Sequence, residues 1–308
     1  MTKLLAIVGP TASGKSELAL TIASHLNGEI LSADSRQVYR LLDIGTSKPT
    51  AEDQAKIPHH FVNLLDPVRD FNAGEFGIEA RKRIADIIAR GRQPILVGGS
   101  GLYVKAVIDG FFSGPGRDPE IRRQIEARLH KQGPGVLLEE LSKIDPVSAS
   151  LMEPSKPRRI VRALEVYSIT GIPLSAFHKK QSTALSIENV QFGLEWDRAK
   201  LYERINARVD SMLARGLIEE VKNLHRQGYD HRLNALNTVG YKEVFDFLDG
   251  RSSYEEMVEL MKRNTRRFAK RQLTWFRRDS RIKWITMDGS TSIERVADIV
   301  ENDLRRVA

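Results

Sequence analysis

The chain has 308 residues, of which 41% are hydrophobic and 29% charged, so it is long enough to bury a full core and too apolar to be extensively disordered. Its formal charge of +8 favours a polyanionic partner if the excess is clustered, and the absence of Cys excludes disulfides and thiolate metal sites. No apolar run approaches the ~18 residues of a membrane span, and none has the features of a signal peptide. We therefore expect a cytoplasmic protein without membrane association.

The chain opens with a strand-like apolar run, Leu4–Val8, followed by residues with the spacing G-x-x-x-x-G-K-S. This predicted phosphate-binding loop consists of Gly9, Pro10, Thr11, Ala12, Ser13, Gly14, Lys15 and Ser16. The helical pattern of Lys15–Leu26 completes the strand–loop–helix context that the motif requires. Backbone N–H groups, the helix dipole and the Lys15 ammonium bind phosphate in such a loop, and the Ser16 hydroxyl is a ligand for Mg²⁺. The motif leaves open which phosphate is bound.

The run EILSAD predicts a second buried strand, with Asp34, Ser35, Arg36 and Gln37 at its carboxyl end. Ligands of open α/β sheets bind at this end of the strands. A carboxylate there can accept a proton or bind a metal ion, and Arg36 and Gln37 can contact a nucleic acid base. The alternative is that Asp34 only caps the element that follows.

Further strand-like runs are HHFVNLL, QPILVGG, VQFGLEW and IKWITM, and a helical pattern covers Gly74–Arg90. Together these elements predict an α/β fold resembling the P-loop NTPases, with a mostly parallel sheet and helices on both faces. Gly98 and Gly99 stand where a nucleotide hydrolase would carry an acid. Because glycines permit close approach, we expect Ser100 and Tyr103 to line a passage for substrate, with an ordinary tight turn as the alternative.

From Pro119 to Thr183 the sequence is charged and helical without convincing strands. We predict a helical insertion at residues 117–189 that divides the α/β core into residues 1–116 and 190–308. Its stretch KPRRIVRALEVY carries Lys156, Arg158, Arg159 and Arg162 within seven residues. A cluster of this kind is either a solvated face or a binding surface.

The last part contains two strong helical patterns. The first begins after Asp197 as N-cap, with Leu201, Ile205, Val209 and Met212 on one face and Arg204, Arg208 and Arg215 on a neighbouring face. The second begins at Ser252 or Ser253 with capping-box spacing. It places Arg263, Arg267, Lys270 and Arg277 on one face and Met257, Met261, Phe268 and Trp275 on another. Two basic segments flanking a phosphate-binding core favour nucleic acid as the partner.

Seven segments carry a family resemblance: GPTASGKSELA, ILSADSRQVYR, DIGTSKP, GGSGLYVKAVIDG, RRIVRALEVY, VGYKE and TRRFAKRQLTWFRR. In this order they resemble the bacterial tRNA dimethylallyltransferases, also called tRNA isopentenyltransferases, from about Leu4 to Arg278. The resemblance implies transfer of a dimethylallyl group from dimethylallyl diphosphate, with Mg²⁺, to N6 of the adenosine 3′ of the anticodon (position 37) in tRNAs that read codons beginning with U. Two alternatives stay open: a P-loop kinase of a nucleoside or small metabolite, and an ATP-gated RNA-binding module.

The resemblance also implies roles for residues. The loop would hold the diphosphate, with Lys15 and Mg²⁺ on Ser16 stabilising the leaving group, Thr11 near the bridging oxygen, and Arg204 or Arg208 completing the anion site. Asp34 would accept the proton of the adenine amine. Candidate tRNA contacts are Asp34, Ser35, Arg36, Gln37, Ser100, Arg122, Arg158, Arg159, Ile160, Val161, Arg162, Arg267, Lys270 and Arg271. We expect a monomer whose insertion contacts the anticodon stem-loop.

Overall fold

The computed structural model describes residues 2–111, 114–116, 118–179 and 184–306. Six parallel strands form one sheet in the order β3-β2-β4-β1-β5-β6. The strands are β1 (Leu4–Val8), β2 (Gly28–Ser32), β3 (His59–His60), β4 (Gln93–Gly98), β5 (Asn189–Trp196) and β6 (Ile282–Met287). Every residue of β1 is buried, which explains its continuous apolar sequence, since both faces of the sheet are covered. The predicted α/β fold is confirmed.

In chain order the helices are α1 (Lys15–His25), α2 (Ala51–Lys56), α3 (Ala73–Ala89), α4 (Gly101–Ile108), α5 (Pro119–Ile144), α6 (Pro146–Ser150), α7 (Pro157–Thr170), α8 (Leu174–Lys179), α9 (Arg198–Ala214), α10 (Leu217–Arg226), α11 (Tyr241–Leu248), α12 (Tyr254–Phe276) and α13 (Ile293–Arg306). Helices α1 and α13 share one apolar cluster with alternate residues of β1, β4 and β5. Helices α3 and α4 pack on each other and on β4. None of the described helices is long and apolar enough to cross a membrane.

The run HHFVNLL forms much less strand than its sequence predicts. Only His59 and His60 pair with β2. Phe61 and Asn63 have φ angles of 65° and 57°, in the left-handed region, and this conformation ends the pleated strand. The strand prediction for the rest of this run was wrong because sequence periodicity carries no information about these two backbone angles.

Two predicted helix starts are confirmed. The Asp197 carboxylate accepts hydrogen bonds from the backbone N–H groups of Ala199 and Lys200 and so caps α9. Ser253 and Glu256 form a reciprocal capping box at the start of α12. Each cap satisfies N–H groups that have no partner inside the helix, and its loss typically costs about 1 kcal/mol.

The buried stripe of α12 differs from the predicted apolar face. It consists of Met257, Met261, Ala269, Gln272 and Phe276. Phe268 and Trp275 were predicted on this face but are 38% and 37% exposed. Ala269 and Gln272 are buried on the stripe instead, so the spacing indicated a shared face for Phe268 and Trp275 but carried no information on their burial.

The chain divides into two compact units. The first consists of Met1–Ile108 and Leu185–Ala308, and the second of Asp109–Ala184. The predicted insertion, 117–189, was placed at the Gly/Pro-rich break, whereas the chain leaves the first unit directly after α4, where Gly110 has a φ of 74°. Arg117 and residues 180–183 of the predicted range lie outside the described residues.

The second unit has its own apolar core. Side chains of α5, α6, α7 and α8 form it, among them Leu137, Leu141, Ile160 and Leu164. Helix α5 is kinked at Gly133, which has a φ of 81° and precedes Pro134. The described residues of this unit contain helices and no strand, which agrees with the predicted helical character.

Candidate active site in the α/β unit

A cavity of about 390 Å³ opens in the first unit, where β1, β2 and β4 end. Thr11, Lys15 and Ser16 line it from the phosphate-binding loop, and residues 34–37 line it after β2. Further lining comes from Ser100, residues 45–49, Arg208, residues 238–240 and the α12 side chains Met261, Thr265, Phe268 and Gln272. Its size is typical of a site for small molecules.

Lys15 lines this cavity. Its ammonium group donates a hydrogen bond to the Pro10 carbonyl at 3.0 Å. The pKa of Lys15 is lowered to about 8, chiefly by burial and also by the nearby Arg208 charge, while the Asp34 charge partly opposes both effects. A bound anion would restore the charged form of Lys15, because an opposite charge raises the pKa of an ammonium group.

Arg204 and Arg208, one helical turn apart on α9, have different surroundings. The Arg204 guanidinium donates from Nε to the Ala12 carbonyl at 2.8 Å and lies 4.3 Å from the centroid of the Trp196 ring. Trp196 in turn donates to the Ser13 carbonyl at 2.9 Å. Arg208 lines the cavity, and burial lowers its pKa while the Asp34 charge raises it. Arg204 therefore supports the loop backbone, whereas Arg208 is part of the cavity lining.

Gln272 joins the phosphate-binding loop to the turn after β4. Its side-chain oxygen accepts a hydrogen bond from the Thr11 N–H at 2.8 Å, and its Nε2 donates to the Gly99 carbonyl at 3.0 Å. The side chain is buried on α12. Analysis of the sequence missed this residue, although a polar residue between Ala269 and Phe276 on the buried stripe was an available signal.

The two glycines after β4 admit other parts of the protein at close range. A Cβ atom on Gly98 would lie 2.1 Å from the Ala33 carbonyl oxygen, and one on Gly99 would lie 2.1 Å from Gln272 Nε2. Ser100 lines the cavity as expected. Tyr103 does not: it is 5% exposed and donates to the Phe71 carbonyl at 3.2 Å. The predicted role of Tyr103 in a substrate passage was wrong, because packing against α3 buries it.

Asp34 both caps the chain after β2 and lines the cavity. Its Oδ1 accepts from the N–H of Arg36 at 2.8 Å and of Gln37 at 3.4 Å. The Ser35 N–H donates to Ser100 Oγ at 3.1 Å. The capping alternative is therefore present, and it holds the carboxylate at the cavity surface.

The structure gives Gln37 and Arg36 structural partners. Gln37 accepts from Ser32 Oγ at 2.8 Å, and its Nε2 donates to the carbonyls of Thr46 and Ser47 at 3.2 and 3.1 Å. Arg36 donates to the Asn234 carbonyl at 2.7 Å. Both ends of the Gln37 amide are paired, so Gln37 supports residues 46–47; it also lines the cavity, and its direct contact with a base stays a prediction.

The two predicted basic segments differ in the exposure of their side chains. On α12, Arg267, Lys270 and Arg271 are exposed. On α7, Arg158 and Arg159 are exposed, whereas Ile160 and Val161 are 0% and 2% exposed in the core of the second unit. The side chains of Ile160 and Val161 belong to that core and are not accessible to RNA, and a contact through the backbone of these two residues stays a prediction.

Arg122 and Arg162 pair with a buried carboxylate. Glu165 is completely buried, and Arg162 Nη1 donates to its Oε2 at 2.8 Å, while Arg122 Nη1 lies 3.4 Å from the same oxygen. Arg162 also donates to the Pro115 carbonyl at 2.8 Å. These two arginines, predicted as RNA contacts, hold the second unit together.

Three comparisons connect this geometry to known proteins. A family model described as IPP transferase matches residues 37–279. The tRNA dimethylallyltransferase of Pelotomaculum thermopropionicum is 46% identical over 96% of this chain and 94% of its own length. The crystal structure of the tRNA isopentenylpyrophosphate transferase of Bacillus halodurans is 42% identical, covers 99% of this chain and 98% of that chain, and superposes with a TM-score of 0.72.

A eukaryotic dimethylallyltransferase acting on tRNA superposes with a TM-score of 0.83, at 28% identity, over 99% of this chain and 80% of that chain. The resemblance found in the sequence is thus confirmed, and the comparisons favour the transferase over the kinase alternative. From the matched family model, the sequence identity and the shared fold, we conclude that this chain belongs to the IPP transferase family.

Proposed function

We propose that the protein transfers the dimethylallyl group of dimethylallyl diphosphate to N6 of the adenosine at position 37 in tRNAs that read codons beginning with U. The observation that carries this proposal is that Lys15, Arg208 and Asp34 line one cavity. Two cations for a diphosphate and one carboxylate for a proton thus face the same space.

The phosphate-binding loop and its neighbours would hold the donor. Negative charge grows on the diphosphate as the allylic C–O bond breaks, and groups preorganised around it stabilise the transition state. Lys15 and Arg208 supply positive charge at the cavity surface. Thr11 lines the cavity and is fixed through its N–H by Gln272, and its hydroxyl would contact the leaving oxygen.

The residues present fit Mg²⁺. Ser16 offers an oxygen ligand at the cavity, and no group of three His, Cys, Asp or Glu side chains suited to a metal ion occurs among the described residues. This donor set suits an ion that keeps water and phosphate oxygens as most of its ligands. When bound, Mg²⁺ would offset the charge of the diphosphate.

Asp34 would act on the acceptor. The N6 amine of adenine forms the new C–N bond, the C–O bond to the diphosphate breaks, and the Asp34 carboxylate accepts the proton that the amine releases. The base must leave its stack to enter the cavity, at a cost of a few kcal/mol. Exposed cations on α7 and α12 can offset this cost through phosphate contacts.

That the protein acts as a monomer is also part of the proposal. A cytoplasmic location is part of the proposal, since a tRNA substrate favours it.

The test uses radiolabelled dimethylallyl diphosphate, Mg²⁺ and unmodified tRNA. We expect label in the tRNA, a loss of turnover of roughly 10²- to 10⁴-fold in Asp34→Ala with tRNA binding retained, and wild-type rates in the exposed control Asp298→Ala. Transfer of γ-phosphate from ATP to a metabolite, with no label in tRNA, would instead establish the kinase. Full turnover in Asp34→Ala would remove this carboxylate from the mechanism.

A further inference from the structure

The carboxylate of Glu220, on α10, is saturated with hydrogen bonds. Its Oε2 accepts from the backbone N–H groups of Asp43 and Ile44 at 3.0 and 2.7 Å. Its Oε1 accepts from the Gly45 N–H at 3.2 Å and from the Tyr241 hydroxyl at 2.6 Å. Three consecutive backbone donors and one phenol thus converge on a single half-buried side chain, and bonds of this kind to a charged acceptor are about twice as strong as neutral ones.

These bonds join two walls of the cavity. The backbone N–H groups belong to the loop whose residues 45–48 line the cavity, and Tyr241 follows directly on Thr238, Val239 and Gly240, which line it as well. The Tyr241 ring is completely buried and packs against Gly45. On the other side of the loop, Gln37 holds the carbonyls of Thr46 and Ser47. The loop is therefore fixed from both sides.

The walls held by Glu220 include an apolar residue of the cavity lining. This residue is Val239, and Met212, Met261, Phe268 and the cations Lys15 and Arg208 line the same cavity. In a cavity that takes a prenyl diphosphate, apolar side chains suit the hydrocarbon chain and cations suit the diphosphate. The distance between the two walls then limits the length of chain that fits.

We propose that Glu220 is a positioning residue that sets the width of the cavity and thereby restricts the donor to a short prenyl chain. This rests on the proposed prenyl transfer. Glu220 acts through the loop and does not touch the reacting atoms. The carboxylate only accepts hydrogen bonds, so an amide at this position would turn an N–H group toward other N–H groups and release part of the loop.

The test compares dimethylallyl diphosphate with geranyl diphosphate, which is one isoprene unit longer, in label transfer to tRNA. Glu220→Gln keeps the volume of the side chain and removes one acceptor oxygen. We expect its kcat/KM for dimethylallyl diphosphate to fall about tenfold and the ratio of geranyl to dimethylallyl kcat/KM to rise about tenfold. Tyr241→Phe, which removes one of the four bonds, should shift the ratio in the same direction by less.

Glu219→Gln is the matched control. Glu219 neighbours Glu220 on α10 but is exposed and paired with Lys222 at 2.7 Å, so both donors should react as in wild type. An unchanged donor ratio in Glu220→Gln, or an equal fall for both donors, would overturn the inference. If Glu220→Gln does not fold, the ratio in Tyr241→Phe decides in the same way. Failure of the proposed function is distinct: wild type would transfer neither donor to tRNA.

Discussion

Helices α7 and α12 carry similar runs of cations, yet the structure uses them differently. On α7, Arg162 is committed to buried Glu165 and to the Pro115 carbonyl, which leaves Arg158 and Arg159 exposed. On α12, Arg267, Lys270 and Arg271 are all exposed. The inner face of α7 packs in an apolar core and carries the buried carboxylate of Glu165. The inner face of α12 carries Gln272, which accepts a hydrogen bond from the phosphate-binding loop. Two segments with similar numbers of basic residues in the sequence can therefore differ in how many of these side chains are exposed for contact with RNA.

The largest effect that would test this comparison concerns Glu165. Glu165→Ala leaves Arg122 and Arg162 without their shared partner, and breaking a buried ion pair from one side costs about 3–5 kcal/mol. We expect a loss of this size in the free energy of unfolding of the second unit, measured with denaturant on the full chain. The exposed control Glu153→Ala, which loses a surface pair with Lys156 and an exposed hydrogen bond from Ser155, should change it by less than about 1 kcal/mol. A similar small change in Glu165→Ala would refute a structural role for these arginines.

The inner face of α12 is tested by Gln272→Leu. This variant leaves the Thr11 N–H and the Gly99 carbonyl without their partner and frees Thr11 to move. Because misplaced reacting groups can cost 10²-fold in rate, we expect turnover to fall about a hundredfold while the Kd for tRNA stays unchanged. Thr274→Ala, on the exposed face of the same helix, is the control. Equal turnover in the two variants would contradict a positioning role.

The outer face of α12 is tested by Lys270→Ala. If Lys270 contacts a phosphate, its removal should weaken tRNA binding for all sequences and reduce the slope of log K against log salt concentration by about 1. Arg162→Ala should lower the stability of the second unit and leave this slope in place. A salt slope that is unaffected by Lys270→Ala and reduced by Arg162→Ala would reverse the comparison.

Protonation also determines whether a basic side chain in the cavity carries a charge, and Lys15 is the example. Its pKa in the folded protein is about 8 against a usual value of 10.5, so the unliganded protein loses this charge as the pH rises through 8. We expect KM for the donor to rise about tenfold per pH unit above that value and kcat to change less, since bound diphosphate raises the pKa of Lys15. Because the pKa of Lys15 is lower in the folded protein than in the unfolded chain, the unfolded chain binds the proton more tightly between pH 8 and 10.5. The contribution of Lys15 to the free energy of unfolding should therefore increase with pH across this range. A KM that is flat to pH 9.5 would contradict this assignment.

Local patterns predicted much of the molecule. Continuous apolar runs identified five of the six strands, and the run HHFVNLL contains the two-residue β3 at its start. The loop motif together with the residues that cap α9 and α12 marked where the site and two helices begin. The availability of side chains was not predictable in this way. The spacing of Arg162 and Glu165 allows a helix pair, but whether that pair is buried depends on α5, which lies far away in sequence. Likewise, the position of Gln272 on an apolar stripe indicates that its amide needs a hydrogen-bond partner, but the sequence does not identify that partner.

The hydrogen bond between Thr11 and Gln272 joins residues that are 261 positions apart. Synthesis of the chain at about 5–20 residues per second proceeds from the N-terminus, so the loop leaves the ribosome many seconds before the helix that fixes it. The nascent chain can build β1 and α1 early, but its catalytic cavity is completed only after residue 272 has emerged. A chain truncated before α12 would therefore keep the phosphate-binding sequence motif but would lack the completed cavity and with it the enzymatic activity.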